Sequence, residues 1–486
     1  MVFSSHLFLF YFLPAALLVY YSMPRRGKHL ALTLLSYVFY GWANPLFCVL
    51  MFFSTLVDYL CGLALAGQFS PRAWSQPVPY VDQSQPRTRG QKAALAVSLA
   101  SNLALLGFFK YFNFATDNYD AVVAWLGLPE MATDATLRVI LPLGISFYTF
   151  QSMSYAIDVY RGHAHAIRSF IDFACYVAMY PQLVAGPIIR FQEVAAQLRH
   201  RTHTVEKFAR GVAFFSLGLA KKVLLANPCG RIADTAFGAG SLDTLDAWYG
   251  VGSYAFQIYF DFSGYTDMAI GLGLMLGLVF PKNFDSPYLA ESITDFWRRW
   301  HLSLSAWLRD NLYIPLGGNR KGEVRTYFNL LIVMLLGGLW HGASWNFLIW
   351  GAMHGLLLAF ERLRGRAAVY DWLPRGVRIG VTFVLLLFTW VFFRAPDLPH
   401  ALDYCGYMFG LGHVQAGADL VSGLVYQPYY VGTFLAAALA VWTLPQAWDW
   451  TRVLTWPKVA CVFAVLWLAL AALTTQAYNP FIYFIF

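Results

Sequence analysis

Charged residues are scarce in this chain, and their scarcity determines its class. Asp, Glu, Lys and Arg make up 12% of the 486 residues, whereas hydrophobic residues make up 58% and the mean hydropathy is +0.51. Soluble domains carry about 25% charged residues, so this composition excludes an ordinary soluble domain. Apolar runs long enough to cross a bilayer recur along the chain. They predict an all-α polytopic membrane protein with about 11 transmembrane helices, at about twenty residues for each crossing.

The sequence also lacks the motifs of several reaction classes. Its six cysteines lie far apart and form neither a CxxC pair nor a Cys/His cluster, so neither a disulfide framework nor a metal site is indicated. The chain contains no G-x-S-x-G nucleophile elbow and no P-loop. These absences argue against covalent serine catalysis, metal-dependent hydrolysis and ATP-driven transport.

The net charge of +8 comes from basic residues in short loops between apolar runs. Such loops face the cytoplasm, so the charge indicates topology and not nucleic-acid binding. A basic loop at residues 24–28 and a long polar loop at residues 67–92 are therefore expected to be cytoplasmic, and both termini periplasmic. Residues 170–189 have basic flanks on both sides and contain Pro181 and Pro187. They predict a re-entrant or kinked segment, with two ordinary spans as the alternative.

One histidine lies near the middle of a long uncharged run. Residues 328–360 contain no Asp, Glu, Lys or Arg, and are long enough to cross a bilayer and start back. His341 lies there between Gly338 and Asn346, which predict a break in the helix. Irregular backbone at membrane depth persists only beside protein or a water-filled cavity, and an imidazole in such a cavity acts as a base or acid. The alternative is a neutral histidine that donates a hydrogen bond between packed helices.

A second histidine lies in the longest charged stretch of the chain. Residues 296–309 read FWRRWHLSLSAWLR, with Trp and Leu on one helical face and Arg on another, which predicts an amphipathic helix at the cytoplasmic surface. A plain interfacial anchor explains the Trp and Arg residues equally well, but it does not explain His301. If His301 and His341 face one cavity, that cavity suits a base that removes a proton from a hydroxyl as it attacks an acyl carbon.

Several motifs resemble the membrane-bound O-acyltransferase family, in its bacterial branch. They are Trp340-His341-Gly342 after a Gly-Gly pair, FWRRWH at 296–301 upstream of YIPLGGNR at 313–320, MYPQLVAGPI at 179–188 and YFDFSGYTD at 259–267. The likeness extends over residues 1–486, which are interpreted as a single domain with a catalytic block at 281–355. Residues 67–92 depart from the pattern because they are longer and more polar, which leaves the identity of the acceptor polymer open.

The resemblance implies a ring of helices around an acyl-transfer tunnel and specific roles for the site residues. His341 is expected to be the catalytic general base, and His301 to be a second catalytic histidine that orients or admits the donor. The resemblance and the positions of the residues also suggest four substrate-binding residues: Trp340, Asn346, Arg298 and Arg299. Arg309 is a further candidate for attracting donor phosphates, and His354 is expected to be a packing residue. No tightly bound cofactor is implied, and the expected donor is acetyl-CoA or another acetyl carrier.

The resemblance further implies that the protein moves an acetyl group from a cytoplasmic donor across the bacterial inner membrane. Periplasmic acetyltransferase partners and the exopolysaccharide machinery would then O-acetylate an exported polysaccharide such as alginate. Membrane lipids are expected contacts, and nucleic acid is not. The alternatives are D-alanyl, peptidoglycan or cellulose acyl transfer by the same fold, a transporter of an acyl carrier or polymer without chemistry, and a structural subunit of an export complex.

Overall fold

The computed structural model describes every residue except 70, 135, 366–367, 413, 415–417 and 483–486, and the described residues form helices without any strand. A helix satisfies its own backbone hydrogen bonds, which an apolar environment requires. Five described helices are long and apolar enough to cross a membrane, by length and composition alone: Pro45–Leu65, Arg89–Trp125, Glu323–His341, Arg375–Arg394 and Trp456–Thr475. The all-α class is confirmed, and the number of about 11 spans stays a prediction.

The chain divides into two compact units, which are described in turn. The first contains Met1–Gly211 and Leu272–Phe280, and the second contains Val212–Gly271 and Pro281–Phe486. Two helices, Val205–Ala220 and Thr244–Met275, contribute residues to both units. That residues 1–486 form a single family domain stays a prediction.

The first unit is built from helices that differ widely in length. They are Phe8–Phe12, which is a π-helical turn, Leu13–Ser22, Lys28–Gly41, Pro45–Leu65, Pro71–Trp74, Arg89–Trp125, Ile145–Arg161, Phe170–Ala178, Tyr180–Leu183 and Phe191–Arg199. Arg89–Trp125, with 37 residues, is the longest of these helices, and the side chain of its N-cap Thr88 accepts a hydrogen bond from Gln91 N at 3.2 Å.

The predicted re-entrant segment is broken and buried. Phe170–Ala178 and Tyr180–Leu183 are separate short helices, and extended backbone leads from them to Phe191–Arg199. Nine helical residues span about 14 Å, which is about half of a bilayer's hydrocarbon thickness. The segment from Phe173 to Ile189 is buried throughout, as non-helical backbone at membrane depth requires. The break and the burial fit such a segment, and its re-entrant path in the membrane stays a prediction.

The second unit carries both histidines of interest. Its helices are Lys221–Ala226 and Arg309–Tyr313, which are π-helical, and Asn227–Phe237, Ile293–Trp297, Leu302–Leu308, Glu323–His341, Trp345–Leu363, Arg375–Arg394, Leu398–Met408, Ala418–Val425, Pro428–Thr443, Ala447–Trp450 and Trp456–Thr475. The stretch predicted as one amphipathic helix is divided into Ile293–Trp297 and Leu302–Leu308. Aromatic residues dominate the buried core between these elements.

Candidate active site

His341 lies at the tip of a tightly packed helical hairpin. Glu323–His341 ends at this residue, and Trp345–Leu363 returns beside it after Ser344, whose side chain caps the new helix. A Cβ at Gly338 would lie 2.2 Å from the carbonyl oxygen of Phe347, so the two backbones are in direct contact. The predicted break in the helix is therefore present at His341. Gly338 lies within the helix and does not break it, but lets the two helices pack closely.

Gly338→Ala is expected to lower the free energy of unfolding by about 1–3 kcal/mol, because the added methyl group forces apart two backbones. The measurement is the thermal midpoint of the purified protein in detergent. The matched control is Gly380→Ala in Arg375–Arg394, where an added Cβ meets nothing within 4 Å. Alanine favours helix more than glycine does, so the control should keep or raise the midpoint. Equal midpoints for the two variants would contradict the close contact.

The His341 side chain is enclosed by aromatic rings. It is 6% exposed, and the centroid of its ring lies 5.0 Å from that of Trp340, 5.4 Å from that of Trp350 and 5.1 Å from that of Phe393. The other side of His341 faces a cavity of about 260 Å³. Excluding water from such a site strengthens the electrostatic interactions of any group inside it.

Most of this cavity is apolar, with a few polar groups on one side. Leu304, Leu308 and Met334 are among its apolar lining, and Ser305 and Arg309 are its polar members on the Leu302–Leu308 helix and the π-helical turn that follows. Arg309 Nε donates to Asp310 Oδ1 at 2.7 Å, and its side chain is 62% exposed. Beside His341 the cavity is therefore an apolar chamber, whereas Arg309 in its lining is partly solvated and forms an ion pair with Asp310.

His301 lies where the backbone turns between two short helices. Its φ of 45° is in the left-handed region, which a histidine adopts only where the surrounding structure requires it. The side chain is fully buried, with Nδ1 3.3 Å from Asn283 Oδ1, and its Nε2 has no hydrogen-bond partner within the described part of the chain. Burial lowers the pKa of the His301 imidazole, which lies outside the five candidate spans, to about 3, so the ring is neutral at pH 7.

Trp340 joins the two histidines. The centroid of its indole ring lies 6.1 Å from that of His301 and 5.0 Å from that of His341. His301 is not part of the lining of the cavity that His341 faces. The structure therefore brings His301, Trp340 and His341 into one aromatic cluster, and the catalytic roles of the two histidines and the substrate contact of Trp340 stay predictions.

None of the four predicted substrate-binding residues, Trp340 included, belongs to the cavity lining. Asn346 is buried, and its Nδ2 donates to Ala395 O at 2.8 Å, which ties the hairpin to the end of Arg375–Arg394. Arg299 Nε donates to Asp295 at 2.9 Å, and Arg298 is exposed. Asn346 therefore has a structural contact, and the substrate-binding roles of all three residues stay predictions.

Two residues that the sequence did not single out position the His301 segment. Asn283 Oδ1 accepts hydrogen bonds from Ser303 N at 3.1 Å and from Ser303 Oγ at 2.9 Å. Glu361 accepts from the backbone N–H groups of Ile293 and Thr294, each at 2.8 Å, and so caps Ile293–Trp297. Glu361 is the first charged residue after the uncharged run, and this position is the feature of the sequence that could have identified it.

His354 belongs to the aromatic core and not to the cavity lining. It is fully buried, and its Nδ1 accepts a hydrogen bond from Trp297 Nε1 at 3.2 Å. Its ring centroid lies 4.8 Å from that of Trp350, which also contacts His341. These contacts are those of a packing residue.

Comparison with known proteins identifies the family of the chain. Residues 148–395 match the membrane-bound O-acyltransferase family, and this match contains both histidines. The whole chain is 43% identical to the whole of a probable alginate O-acetylase, AlgI, of Pseudomonas putida. It is 37% identical, over 85% of this chain and 81% of the relative, to a peptidoglycan O-acetyltransferase of Helicobacter pylori. A teichoic acid D-alanyltransferase of Streptococcus thermophilus is 30% identical over 48% of this chain and 59% of its own length.

A family match over half of the chain and a similarity over its full length lead to one conclusion. The chain belongs to the membrane-bound O-acyltransferase family and is a multi-pass membrane O-acyltransferase.

Proposed function

We propose that this protein transfers acetyl groups for the O-acetylation of an exported polysaccharide, with alginate as the leading acceptor. The observation that carries the proposal is the 43% identity, over the whole of both chains, to a probable alginate O-acetylase. The similarity to the peptidoglycan O-acetyltransferase covers less of the chain at lower identity. The similarity to the teichoic acid D-alanyltransferase covers about half of this chain. This graded similarity supports acetate as the acyl group and alginate as the polymer.

In the proposed reaction His341 acts as a general base on the hydroxyl of the acceptor. Its imidazole takes the hydroxyl proton while the oxygen attacks the carbonyl carbon of the acetyl thioester. The new C–O bond forms, the C–S bond breaks, and the imidazolium returns the proton to the thiolate that leaves. The aromatic walls of Trp350 and Phe393 exclude water, which would otherwise hydrolyse the thioester.

His301 has a different proposed role, because burial keeps its ring neutral. A neutral imidazole whose Nε2 has no partner among the described residues is suited to one directed hydrogen bond and not to charge stabilisation. Because His301 does not line the cavity that His341 faces, this bond requires a donor that extends beyond that lining. Arg309, at the solvated end of the cavity, is suited to the phosphates of an acetyl-CoA donor, and the exposed Arg298 adds positive charge on the same segment. This gives the donor an orientation in which its thioester end reaches the apolar chamber.

The proposal includes a direction of transfer. The donor, acetyl-CoA or another acetyl carrier, enters from the cytoplasmic side of the bacterial inner membrane, where the basic loops lie under the positive-inside rule. The acetyl group leaves on the periplasmic side, where both termini lie and where acetyltransferase partners deliver it to the polymer. The supporting observation is the basic composition of the loops between apolar runs.

The test compares cells that carry the chain with cells in which its gene is deleted. Polymer-bound acetate is measured separately on exopolysaccharide and on peptidoglycan, together with D-alanyl ester on the cell envelope. The expected result is a loss of acetate from the exopolysaccharide alone, restored when the wild-type gene is returned. A loss confined to peptidoglycan acetate or to D-alanyl ester would replace the proposed acceptor or acyl group. No change in any of the three would overturn the proposal.

A further inference from the structure

The first unit contains a strongly basic cavity of about 1160 Å³. Six cationic side chains from separate parts of the sequence line it: Arg25, Arg26, Lys28, Arg168, Arg199 and Arg201. Asp172 is the one carboxylate among the described residues of the lining, and its Oδ1 lies 2.5 Å from Nδ1 of His29. The lining therefore carries a large excess of positive charge, and its one acid already has a partner.

Topology explains why these loops are basic, but it does not explain why their charges share one cavity. The positive-inside rule requires basic loops on the cytoplasmic side and sets no condition on their convergence. Like charges gathered in one cavity repel one another unless an anion compensates them. The repulsion also acts on a neighbouring histidine: burial, together with the charges of Lys28 and Arg201, lowers the pKa of His203 below its usual value.

Four of the six cations donate hydrogen bonds to other groups of the protein: Arg25, Lys28, Arg168 and Arg201. The Arg168 guanidinium donates to Gln68 Oε1 at 2.7 Å and to Ala73 O at 2.5 Å, and so holds part of the polar loop at residues 67–92. Lys28 Nζ donates to the carbonyl oxygen of Tyr20 at 2.9 Å. These contacts fix the walls of the cavity without neutralising its charge.

Some cations in the lining can still donate hydrogen bonds to a ligand. Arg201 Nη1 donates to Tyr20 Oη at 3.0 Å, whereas its Nη2 is buried and has no hydrogen-bond partner in the described structure. Arg26 and Arg199 are exposed. A guanidinium group binds a phosphate through two parallel N–H donors, and several such groups around one cavity form a typical phosphate site.

We propose that this cavity binds a phosphate group, carried either by an anionic membrane lipid or by a soluble phosphate compound. The inference rests on the cavity and on the Arg201 Nη2 group, which has no hydrogen-bond partner among the described residues, and it does not depend on the proposed acyl transfer. Cavity volume and charge suit a ligand larger than inorganic phosphate, with the phosphate placed between Arg26, Arg199 and Arg201.

The test measures lipid binding to the full-length protein, purified in a neutral detergent and freed of native lipid. Phosphatidylglycerol and phosphatidylcholine are the probes, and bound lipid is counted by native mass spectrometry. Wild-type protein should retain phosphatidylglycerol in preference to phosphatidylcholine. The double variant Arg26→Gln/Arg199→Gln should bind it about 25-fold more weakly, because each basic residue near an anionic lipid contributes about fivefold.

The control variant is Arg89→Gln, an exposed arginine of the same unit that does not line the cavity, and it should bind as the wild type does. The charge-conserving variant Arg26→Lys/Arg199→Lys should keep most of the binding, which separates lost charge from lost folding. Displacement of the lipid by inorganic pyrophosphate would identify a soluble phosphate as sufficient, whereas failure of pyrophosphate would identify the lipid headgroup. Equal binding by the double Gln variant and the wild type would overturn the proposal, as would failure of both phosphatidylglycerol and pyrophosphate to bind the wild type.

Discussion

Replacing His341 with alanine is expected to lower acetyl transfer by about 10²- to 10⁴-fold, the contribution of a well-placed general base. The ring lies among Trp340, Trp350 and Phe393 and faces the cavity, so alanine enlarges an existing space and blocks nothing. Polymer-bound acetate is measured in cells whose own copy carries the substitution, with the amount of variant in the membrane matched to that of the wild type. Acetylation near the wild-type level would return His341 to the alternative of a packed core histidine.

The matched control for this experiment is His354→Ala. His354 is a buried histidine of the same hairpin, it contacts Trp350 as His341 does, and it lies outside the cavity lining. Its removal creates a void in the core and leaves the Trp297 indole N–H without its acceptor, so the amount of folded protein should fall. Acetylation per molecule should be retained. Loss of activity per molecule in both variants would show that any buried void in the hairpin inactivates the enzyme.

Replacing Lys222 with methionine is expected to cost about 3–5 kcal/mol of stability, because it leaves a carboxylate buried without its countercharge. Lys222 Nζ lies 2.9 Å from Asp261 Oδ1, and the two side chains are 3% and 0% exposed. The pair also anchors the end of the chain: Lys222 donates to Pro480 O, and Asp261 Oδ2 accepts from Ile482 N at 3.0 Å. The measurements are the thermal midpoint in detergent and the amount of folded protein in the membrane.

Two further variants separate the buried charge from other effects of the substitution. Lys222→Met/Asp261→Leu removes both charges and should recover most of the loss, since an apolar replacement of a whole buried pair is close to neutral. Lys282→Met removes a lysine that pairs with Asp449 at 3.0 Å, where the side chains are 22% and 46% exposed, and should cost about 1 kcal/mol or less. A Lys222→Met midpoint equal to that of Lys282→Met would contradict the argument.

The candidate histidines were recognisable from the sequence because each interrupts a simple pattern. His341 is the first ionisable residue within a long uncharged run, and His301 does not fit the pattern of an interfacial anchor. The break in the helix at His341 was also predictable, since glycine and asparagine surround it. The structure then shows that Gly338 serves the close contact of two helices, which a sequence pattern does not distinguish from a break.

The partners of the histidines were not predictable in the same way. Asn283 and Glu361 act on the His301 segment from distant positions in the chain, and local periodicity carries no information about such contacts. The prediction of one continuous amphipathic helix over residues 296–309 was wrong for a related reason. Helical periodicity persists across residues 296–309, yet the backbone at His301 adopts a left-handed conformation that only the surrounding packing enforces.

The sequence by itself determined the class of this protein. Low charge and repeated apolar runs require helices, because only a helix satisfies its own backbone in an apolar environment. Two histidines, with the motifs around them, were enough to indicate the family. Only the tertiary structure decided that Trp340 lies between His301 and His341, and that six cations from three separate parts of the sequence line one cavity. The physical reason is that composition and periodicity report which faces are apolar, whereas packing decides which of those faces meet.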